Sequence, residues 1–230
     1  MVKRKRTVKL SVSTGLNLFK ECPRCFWLHH KERVPRPRGI FPSLPGGMDQ
    51  VIKRYFDRFR GALPPELKGR VQGVLMPDQG LMDQWRDWRS GLTYEDRALN
   101  ALLIGALDDC LMNGEQYTPL DYKTRGSAPH EGDSEKYYQL QLDTYALLLH
   151  ANGLPPTDFA YLIYYYPQVV AEGGVVRFAI EPVKIAVDPA RAQHMFEGAV
   201  RLLAGPLPAH HSHCEYCVWF SQRRVFDETV

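Results

Sequence analysis

Two pairs of cysteines near opposite ends of the chain constrain its fold more than any other feature of the sequence. The pairs are C-x-x-C motifs 192 positions apart: Cys22 and Cys25, and Cys214 and Cys217. Two such pairs in a chain with reduced thiols indicate one site at which four thiolates hold Zn²⁺ or an iron–sulfur cluster. A shared site requires the two segments to meet, so we expect it to clamp residues 11–30 to residues 205–220.

Nothing in the sequence indicates secretion or a membrane. No apolar run approaches the roughly 18 residues of a transmembrane helix, and no apolar signal-peptide core follows the basic start of the chain. We therefore expect a cytoplasmic protein with no membrane partner, in which disulfides are absent. The fifth cysteine, Cys110, lies in an apolar stretch and is interpreted as a core residue. Two alternatives stay open: a histidine (His210, His211 or His213) replaces one thiolate at a zinc site, or one C-x-x-C pair is a redox dithiol.

The composition is that of a globular protein with one domain, residues 1–230. Hydrophobic residues make up 44% of the chain and charged residues 24%, which excludes disordered and fibrous classes. The net charge of +3 indicates no particular partner. Basic residues do cluster near the start, and we interpret them as a solvated tail, with phosphate contact as the alternative. They are Lys3, Arg4, Lys5, Arg6 and Lys9, followed by Lys31, Arg33, Arg36 and Arg38.

The order of the predicted elements favours an α/β (α+β) fold, with a small mixed central sheet flanked by helices. Helices are predicted at 11–28, 48–59, 137–151 and 188–203, and strands at 101–108, 117–124, 158–167 and 175–187. A stretch with four prolines and three glycines, residues 34–47, excludes regular structure there. Residues 31–97 are predicted to form a helical insertion, and the segment after residue 204 a loop that carries the second cysteine pair.

Three polar residues follow apolar segments in the middle of the chain. Asp108 ends one predicted strand, and Asp121 and Lys123 lie on the next. Because strand side chains alternate, Asp121 and Lys123 share one face while Tyr122 points to the other, and an antiparallel neighbour places Asp108 beside them. Carboxylates of this kind bind Mg²⁺ or Mn²⁺, which activate water and stabilise charge on a phosphate. A surface ion pair is the alternative, but both acids end apolar strands, where an unpaired acid is costly to bury.

The predicted helix 137–151 adds two further polar groups. Gln141 and Tyr145 are four residues apart and therefore lie on the same helix face. The glutamine amide can hold a phosphate or backbone oxygen, and the tyrosine offers a hydroxyl or a stacking ring. Tyr145 can equally belong to the apolar stripe of the helix.

Taken in order, these motifs resemble a known family. The sequence reads G-x-x-D at Gly105–Asp108, D-x-K at Asp121–Lys123 and Q-x-x-x-Y at Gln141–Tyr145. This series resembles the RecB-like branch of the PD-(D/E)XK nucleases, which includes CRISPR-adaptation exonucleases and the nuclease domains of recombination helicases. The matched core covers about residues 100–150, and the cysteine pairs extend the resemblance across most of the chain.

The resemblance implies a restriction-endonuclease-like core and a Mg²⁺- or Mn²⁺-dependent exonuclease that acts on single-stranded or free-ended DNA. The catalytic residues that it implies are Asp108, Asp121, Lys123, Gln141 and Tyr145. Asp108, Asp121 and the carbonyl of Tyr122 would hold the metal ion, and Lys123 would assist the attacking water. A protein partner in a recombination or CRISPR pathway is a further implication.

The sequence departs from the family pattern at two places. The usual upstream histidine ligand is missing, and Asp49 is the best substitute, with a plain first-turn acid favoured by the helix dipole as the alternative. The iron–sulfur members use one cysteine before the core and three after it, whereas this chain has two and two. A 4Fe–4S cluster is favoured by resemblance alone, and Zn²⁺ remains the alternative. These departures leave open a second hypothesis, a non-catalytic nucleic-acid-binding module with a structural zinc site.

Overall fold

The computed structural model describes residues 7–37, 39 and 43–227. Their backbone divides into two compact units. The first unit comprises the described residues of Met1–Ile40, Glu95–Leu103 and Gln193–Val230, and the second those of Phe41–Tyr94 and Ile104–Ala192. The basic residues Lys3, Arg4, Lys5, Arg6 and Arg38 lie outside the described part of the chain.

The fold is mixed α/β, as the sequence predicts, with two sheets flanked by helices. The strands are β1 (Val8–Ser11), β2 (Val74–Leu75), β3 (Leu92–Asp96), β4 (Ala101–Gly105), β5 (Asp109–Asn113), β6 (Gln116–Thr124), β7 (Phe159–Val170) and β8 (Val176–Ala186). The α-helices are α1 (Leu18–Glu21), α2 (Pro23–Lys31), α3 (Ser43–Phe56), α4 (Gln79–Arg86), α5 (Asp133–Ala151), α6 (Pro189–Ala204) and α7 (Glu215–Asp227). A π-helix covers Val12–Asn17, and 3₁₀-helices cover Asp57–Phe59, Pro65–Leu67 and Glu172–Gly174.

The larger sheet has five strands in the order β2-β5-β6-β7-β8, and a smaller sheet has the order β1-β4-β3. In the larger sheet β5 and β6 form an antiparallel hairpin, whereas β6 and β7 are parallel. A parallel pair requires a long crossover, and the 19-residue helix α5 provides it. Gly114 allows the tight β5–β6 turn, because its φ of 63° is left-handed.

Side chains on the two faces of β6 have different neighbours. Tyr122 packs in the apolar core with Phe56 of α3, with ring centroids 4.7 Å apart. Asp121 and Lys123 instead contact Gln141 on α5. The alternation predicted for these three residues is therefore confirmed, and it separates the core face of the strand from its polar face.

The prediction of one strand over 101–108, returning as 117–124, was wrong. The apolar run divides at residues 106–108: β4 ends at Gly105 and belongs to the smaller sheet, while β5 begins at Asp109 and pairs with β6. A Cβ atom at Gly105 would collide with the Leu148 side chain, and a Cβ atom at Gly91 would collide with the carbonyl of Gly105. The largely apolar run 101–107 continues past the end of β4, so the sequence pattern does not show that this strand ends at Gly105.

The cysteine-bearing ends also differ from the predicted elements. The single helix predicted over 11–28 is interrupted at Cys22, whose extended backbone ends α1 and caps α2. The segment after residue 204, predicted as a loop, forms helix α7 directly after Cys214. None of the helices in the described ranges is long and apolar enough to cross a membrane.

Candidate functional site

The register of the β5–β6 hairpin brings two carboxylates together. Asp109 pairs with Leu120, so Asp108, one residue before β5, lies beside Asp121 on β6. The backbone N–H of Tyr122 donates a 3.3 Å hydrogen bond to Oδ2 of Asp108, which fixes that side chain against β6. Asp108 is half-buried, and Asp121 is only 1% exposed. Asp108 was predicted to end a strand. It lies instead in the junction between β4 and β5, and it is still placed beside Asp121.

A chain of hydrogen bonds links these acids to helix α5. Nζ of Lys123 lies 2.5 Å from Oδ2 of Asp121 and donates to Oε1 of Gln141 at 3.0 Å. Nε2 of Gln141 donates to Oδ1 of Asp121 at 2.9 Å and to the hydroxyl of Tyr145 at 2.6 Å. The structure therefore brings together all five residues predicted as catalytic.

Sequence reasoning missed a second lysine at this site. Nζ of Lys53, on α3, lies 2.7 Å from Oδ1 of Asp108 and 2.9 Å from Oδ2 of Asp49. Lys53 thus bridges Asp49 to the carboxylate pair. The i, i+4 spacing of Asp49 and Lys53 was the available signal, because it places both side chains on one helix face.

Burial and mutual repulsion separate the pKa values of the two acids. Burial, reinforced by the nearby charge of Asp108, raises the pKa of Asp121 to about 7 against the attraction of Lys123. Burial also acts on Asp108, but the attraction of Lys53 outweighs it and lowers the pKa of that carboxyl. The pKa values of Lys53 and Lys123 are both raised, because attraction to the acids exceeds the effect of desolvation. Both lysines of the site are therefore charged at neutral pH.

A third acid, Asp109, lies next to Asp108 but has different partners. Its side chain is completely buried and forms ion pairs with Arg60 at 2.6 Å and with Arg86 at 3.0 Å. The hydroxyl of Tyr122 also donates to Oδ2 of Asp109 at 2.7 Å. These contacts hold the start of β5, and hence the position of Asp108. No local sequence pattern indicates that two arginines more than 20 residues upstream would meet this acid.

The four cysteines of the two C-x-x-C pairs meet in the first unit, as predicted. Their sulfurs lie 3.7 Å apart for Cys22 and Cys217, 3.7 Å for Cys25 and Cys214, and 3.8 Å for Cys25 and Cys217. All are buried, and all four sulfurs lie within 4.8 Å of one another. Among the described residues no histidine joins this group. The cluster can hold a metal ion.

Two further contacts surround the cysteine cluster. The Cys22 sulfur accepts a hydrogen bond from the backbone N–H of Cys25, which starts helix α2. The Arg36 guanidinium donates to Sγ of Cys214 at 3.5 Å and to Glu21 at 2.6 Å. The fifth cysteine, Cys110, is buried in the second unit, where burial raises the pKa of its thiol.

Comparison with protein-family models decides the family. The model of the PD-(D/E)XK nuclease superfamily matches residues 9–221. The chain belongs to this superfamily. Membership supports a nuclease function in general and implies a nucleic acid substrate. Nucleases of this superfamily typically use divalent metal ions.

The other comparisons concern solved structures and curated proteins. Among solved structures, the chain is similar to the protein of "Crystal structure of SSO0001", at 16% sequence identity and a TM-score of 0.46. That match covers 96% of this chain and 88% of the other. A search of curated proteins found no match.

The acids of this PD-(D/E)XK protein have the chemistry that a divalent cation requires. Oδ2 of Asp121 is buried, and the Lys123 ammonium lies 2.5 Å away from it. This oxygen therefore already faces a cation, as a buried carboxylate oxygen requires. Carboxylate oxygens are the hard ligands that Mg²⁺ and Mn²⁺ prefer. The residues present therefore fit such an ion.

Proposed function

We propose that this protein is a metal-dependent deoxyribonuclease whose site is centred on Asp108 and Asp121. The observation that carries the proposal is the convergence of Asp108 and Asp121 at the β5–β6 hairpin of a PD-(D/E)XK protein. These two carboxylates and the carbonyl of Tyr122 would hold Mg²⁺ or Mn²⁺, with Asp49 as a further candidate ligand. The bound ion would supply an activated water and offset charge on the phosphate.

The remaining polar groups of the site have separate roles in this proposal. Lys123 stays charged and is held between Asp121 and Gln141, so it can orient the attacking water or offset phosphate charge. Gln141 links Lys123, Asp121 and Tyr145, which fixes their relative positions. Burial raises the pKa of Tyr145 well above its usual value, so its hydroxyl stays protonated as a hydrogen-bond donor.

The order of the three motifs supports a finer assignment. We infer a RecB-like exonuclease that degrades single-stranded or free-ended DNA in repair, recombination or defence, together with a protein partner of such a pathway. Support comes from the spacing of G-x-x-D, D-x-K and Q-x-x-x-Y and from their meeting in one place.

For the cysteine cluster we propose a structural metal site. Three of the sulfur pairs are 3.7–3.8 Å apart and all four sulfurs lie within 4.8 Å of one another, which is close to the roughly 3.8 Å edge of a tetrahedron with Zn–S bonds of about 2.3 Å. This spacing supports a single ion, whereas the family resemblance supports a 4Fe–4S cluster, whose larger core would require the sulfurs to move apart. Metal analysis and the visible absorption of anaerobically purified protein distinguish the two, since only the iron–sulfur cluster is coloured.

Cleavage of DNA tests the proposed reaction. The wild type is compared with Lys123→Ala on end-labelled single- and double-stranded DNA, in Mg²⁺ and in Mn²⁺. Lys68→Ala is the matched control, because it removes an exposed lysine outside the site. We expect cleavage by the wild type and the control, and loss of cleavage in Lys123→Ala with an unchanged circular dichroism spectrum.

Three outcomes would redirect the assignment. Cleavage of closed circular single-stranded DNA at the linear rate would exclude an obligate exonuclease. Undiminished cleavage by Lys123→Ala would exclude the assigned site. DNA binding by the wild type without cleavage in either metal would favour the non-catalytic module.

A further inference from the structure

Lys53 occupies a position at the carboxylate site that the proposed reaction does not explain. Its ammonium lies 2.7 Å from Oδ1 of Asp108, one of the oxygens proposed to bind the metal ion. An ammonium and a divalent cation compete for the same lone pairs of an oxygen. The contact therefore bears on metal binding, and the role inferred for Lys53 rests on the proposed function.

The charges of the site are nearly balanced without any metal ion. Three acids (Asp49, Asp108 and Asp121) contact two lysines. Without Lys53, the half-buried Asp108 would lose the ammonium that lies 2.7 Å from its Oδ1. A buried carboxylate without a counter-ion is costly, so the protein needs Lys53 at this position whenever the site holds no metal ion.

Lys53 also differs from the other lysine of the site in a way that suits it to move. Lys123 is fixed by an amide, Gln141, in addition to its carboxylate. The side-chain contacts of Lys53 are to Asp49 and Asp108, and 23% of its side chain is exposed. Asp49 lies one helical turn away on α3 and can keep the ammonium after it leaves Asp108.

We propose that Lys53 is an internal counter-ion that the divalent cation displaces from Asp108. In the metal-free protein it stabilises the acidic pair, and it lowers the affinity of the site for metal. Asp49 acts in this exchange as the residue that retains the displaced ammonium.

Titration calorimetry with MnCl₂ tests the proposal without measuring activity. The proteins are metal-free at this site but retain the metal of the cysteine cluster. We expect Lys53→Met to bind Mn²⁺ roughly tenfold more tightly than the wild type, within the usual range of coupling between sites. Lys68→Met, which removes an exposed positive charge elsewhere, should match the wild type. Asp121→Asn removes one of the proposed ligands and gives the Mn²⁺ affinity of a defective site for comparison.

The stability of the same variants provides a second readout. Without Mn²⁺, Lys53→Met should unfold at a lower urea concentration than the wild type, and saturating Mn²⁺ should remove this difference. Lys53→Gln keeps a polar side chain and serves as the second variant if the methionine variant does not fold.

A double-mutant comparison defines the role of Asp49. If Asp49 acts only by retaining Lys53, Asp49→Asn leaves the Mn²⁺ affinity of Lys53→Met unchanged. A further loss of affinity in the double variant would instead identify Asp49 as the additional metal ligand of the proposed site and overturn its role in retaining the displaced ammonium.

The remaining outcomes separate this proposal from the proposed function. Mn²⁺ binding by the wild type with equal or weaker binding by the Lys53 variants overturns the counter-ion role alone. Absence of Mn²⁺ binding from every variant overturns both this role and the metal-dependent reaction.

Discussion

The cysteine cluster and the carboxylate site both concentrate acidic groups, but they balance the charge differently. At the carboxylate site Asp108 contacts Lys53 at 2.7 Å and Asp121 contacts Lys123 at 2.5 Å. Around the four sulfurs, the cationic contact within the described ranges is that of Arg36 with Cys214. One guanidinium would not neutralise the four thiolates that a bound metal ion requires. We therefore expect a metal ion at the carboxylate site, where the protein supplies its own cations, to be exchangeable, and one at the cysteine cluster to be structural.

The largest effect expected from this comparison concerns the cysteine cluster. Cys25→Ser should lose the bound metal and lower the melting temperature by roughly 10 °C or more, because structural metal sites contribute about 10 kcal/mol of apparent binding energy. Cys110→Ser is the matched control, since Cys110 is buried outside the cluster and should keep the full metal content. Metal analysis and thermal unfolding measure both. If Cys25→Ser retained as much metal as Cys110→Ser, the cysteine cluster would not be a structural metal site and would not differ in this respect from the carboxylate site.

Asp109 is an acid whose ion pairs are with two arginine side chains, so its contribution to stability can be compared with those of the two sites above. Asp109→Ala should lower the free energy of unfolding by about 3–5 kcal/mol, because it leaves the largely buried Arg60 and Arg86 with the partly exposed Asp57 as their acidic partner. Asp57→Ala, which removes a 27% exposed partner of the same arginines, should cost only about 1 kcal/mol. Urea unfolding measures both values. Similar small losses would show that Asp109 does not hold the arginines together.

Arg36 contacts a sulfur of the cysteine cluster, and its replacement tests how much this positive charge contributes to metal retention. Arg36→Gln removes the guanidinium from the Cys214 sulfur and should weaken metal retention about 10- to 100-fold, as is typical for groups that contact metal ligands. Arg24→Gln is the control, because Arg24 donates to the carbonyl of Pro208 at 2.9 Å rather than to a sulfur. Competition with a chromogenic chelator measures the affinity. Equal retention by both variants would contradict the contribution of Arg36.

The smallest effect concerns acid stability. Partial burial acts to raise the pKa of Asp57, but hydrogen bonds from Arg60 and Arg86 outweigh it and lower the pKa below the usual value. A lowered folded pKa stabilises the protein above the unfolded pKa, and this contribution is lost as the pH falls through the folded value. Asp57→Asn should therefore cost up to about 1 kcal/mol at pH 6 and less at pH 3. An equal cost at both pH values, measured by urea unfolding, would contradict this origin.

The cysteine cluster and the five polar residues of the site could be predicted because short spacings define both. C-x-x-C places two sulfurs together on one turn, D-x-K places two groups on one face of a strand, and Gln141 and Tyr145 share a helix face. The predicted fold class followed in the same way, from the order of strongly patterned segments. Local sequence patterns were sufficient to predict the cysteine pairs, the polar residues and the fold class.

The remaining parts of the site depend on contacts that local patterns do not contain. Lys53 and the arginines that bind Asp109 come from elements whose packing on β5 has no signature in the sequence. The boundary between β4 and β5 was missed for a related reason, since the apolar run 101–107 continues past the end of β4 at Gly105. The two strands are distinguished by their pairing in different sheets, which depends on tertiary contacts.

Asp108 and Asp109 are adjacent but have different partners, and this limits the insertions and deletions that the β5–β6 hairpin can tolerate. Both acids are aspartates, yet Asp108 contacts the ammonium of Lys53, whereas Asp109 forms ion pairs with two arginines. The pairing of Asp109 with Leu120 sets these different surroundings. Because strand side chains alternate, inserting or deleting a single residue in β5 would turn both acids to the opposite faces of the sheet. Length variation should therefore be tolerated elsewhere in the chain before it is tolerated in this hairpin, whose turn also needs the left-handed backbone of Gly114.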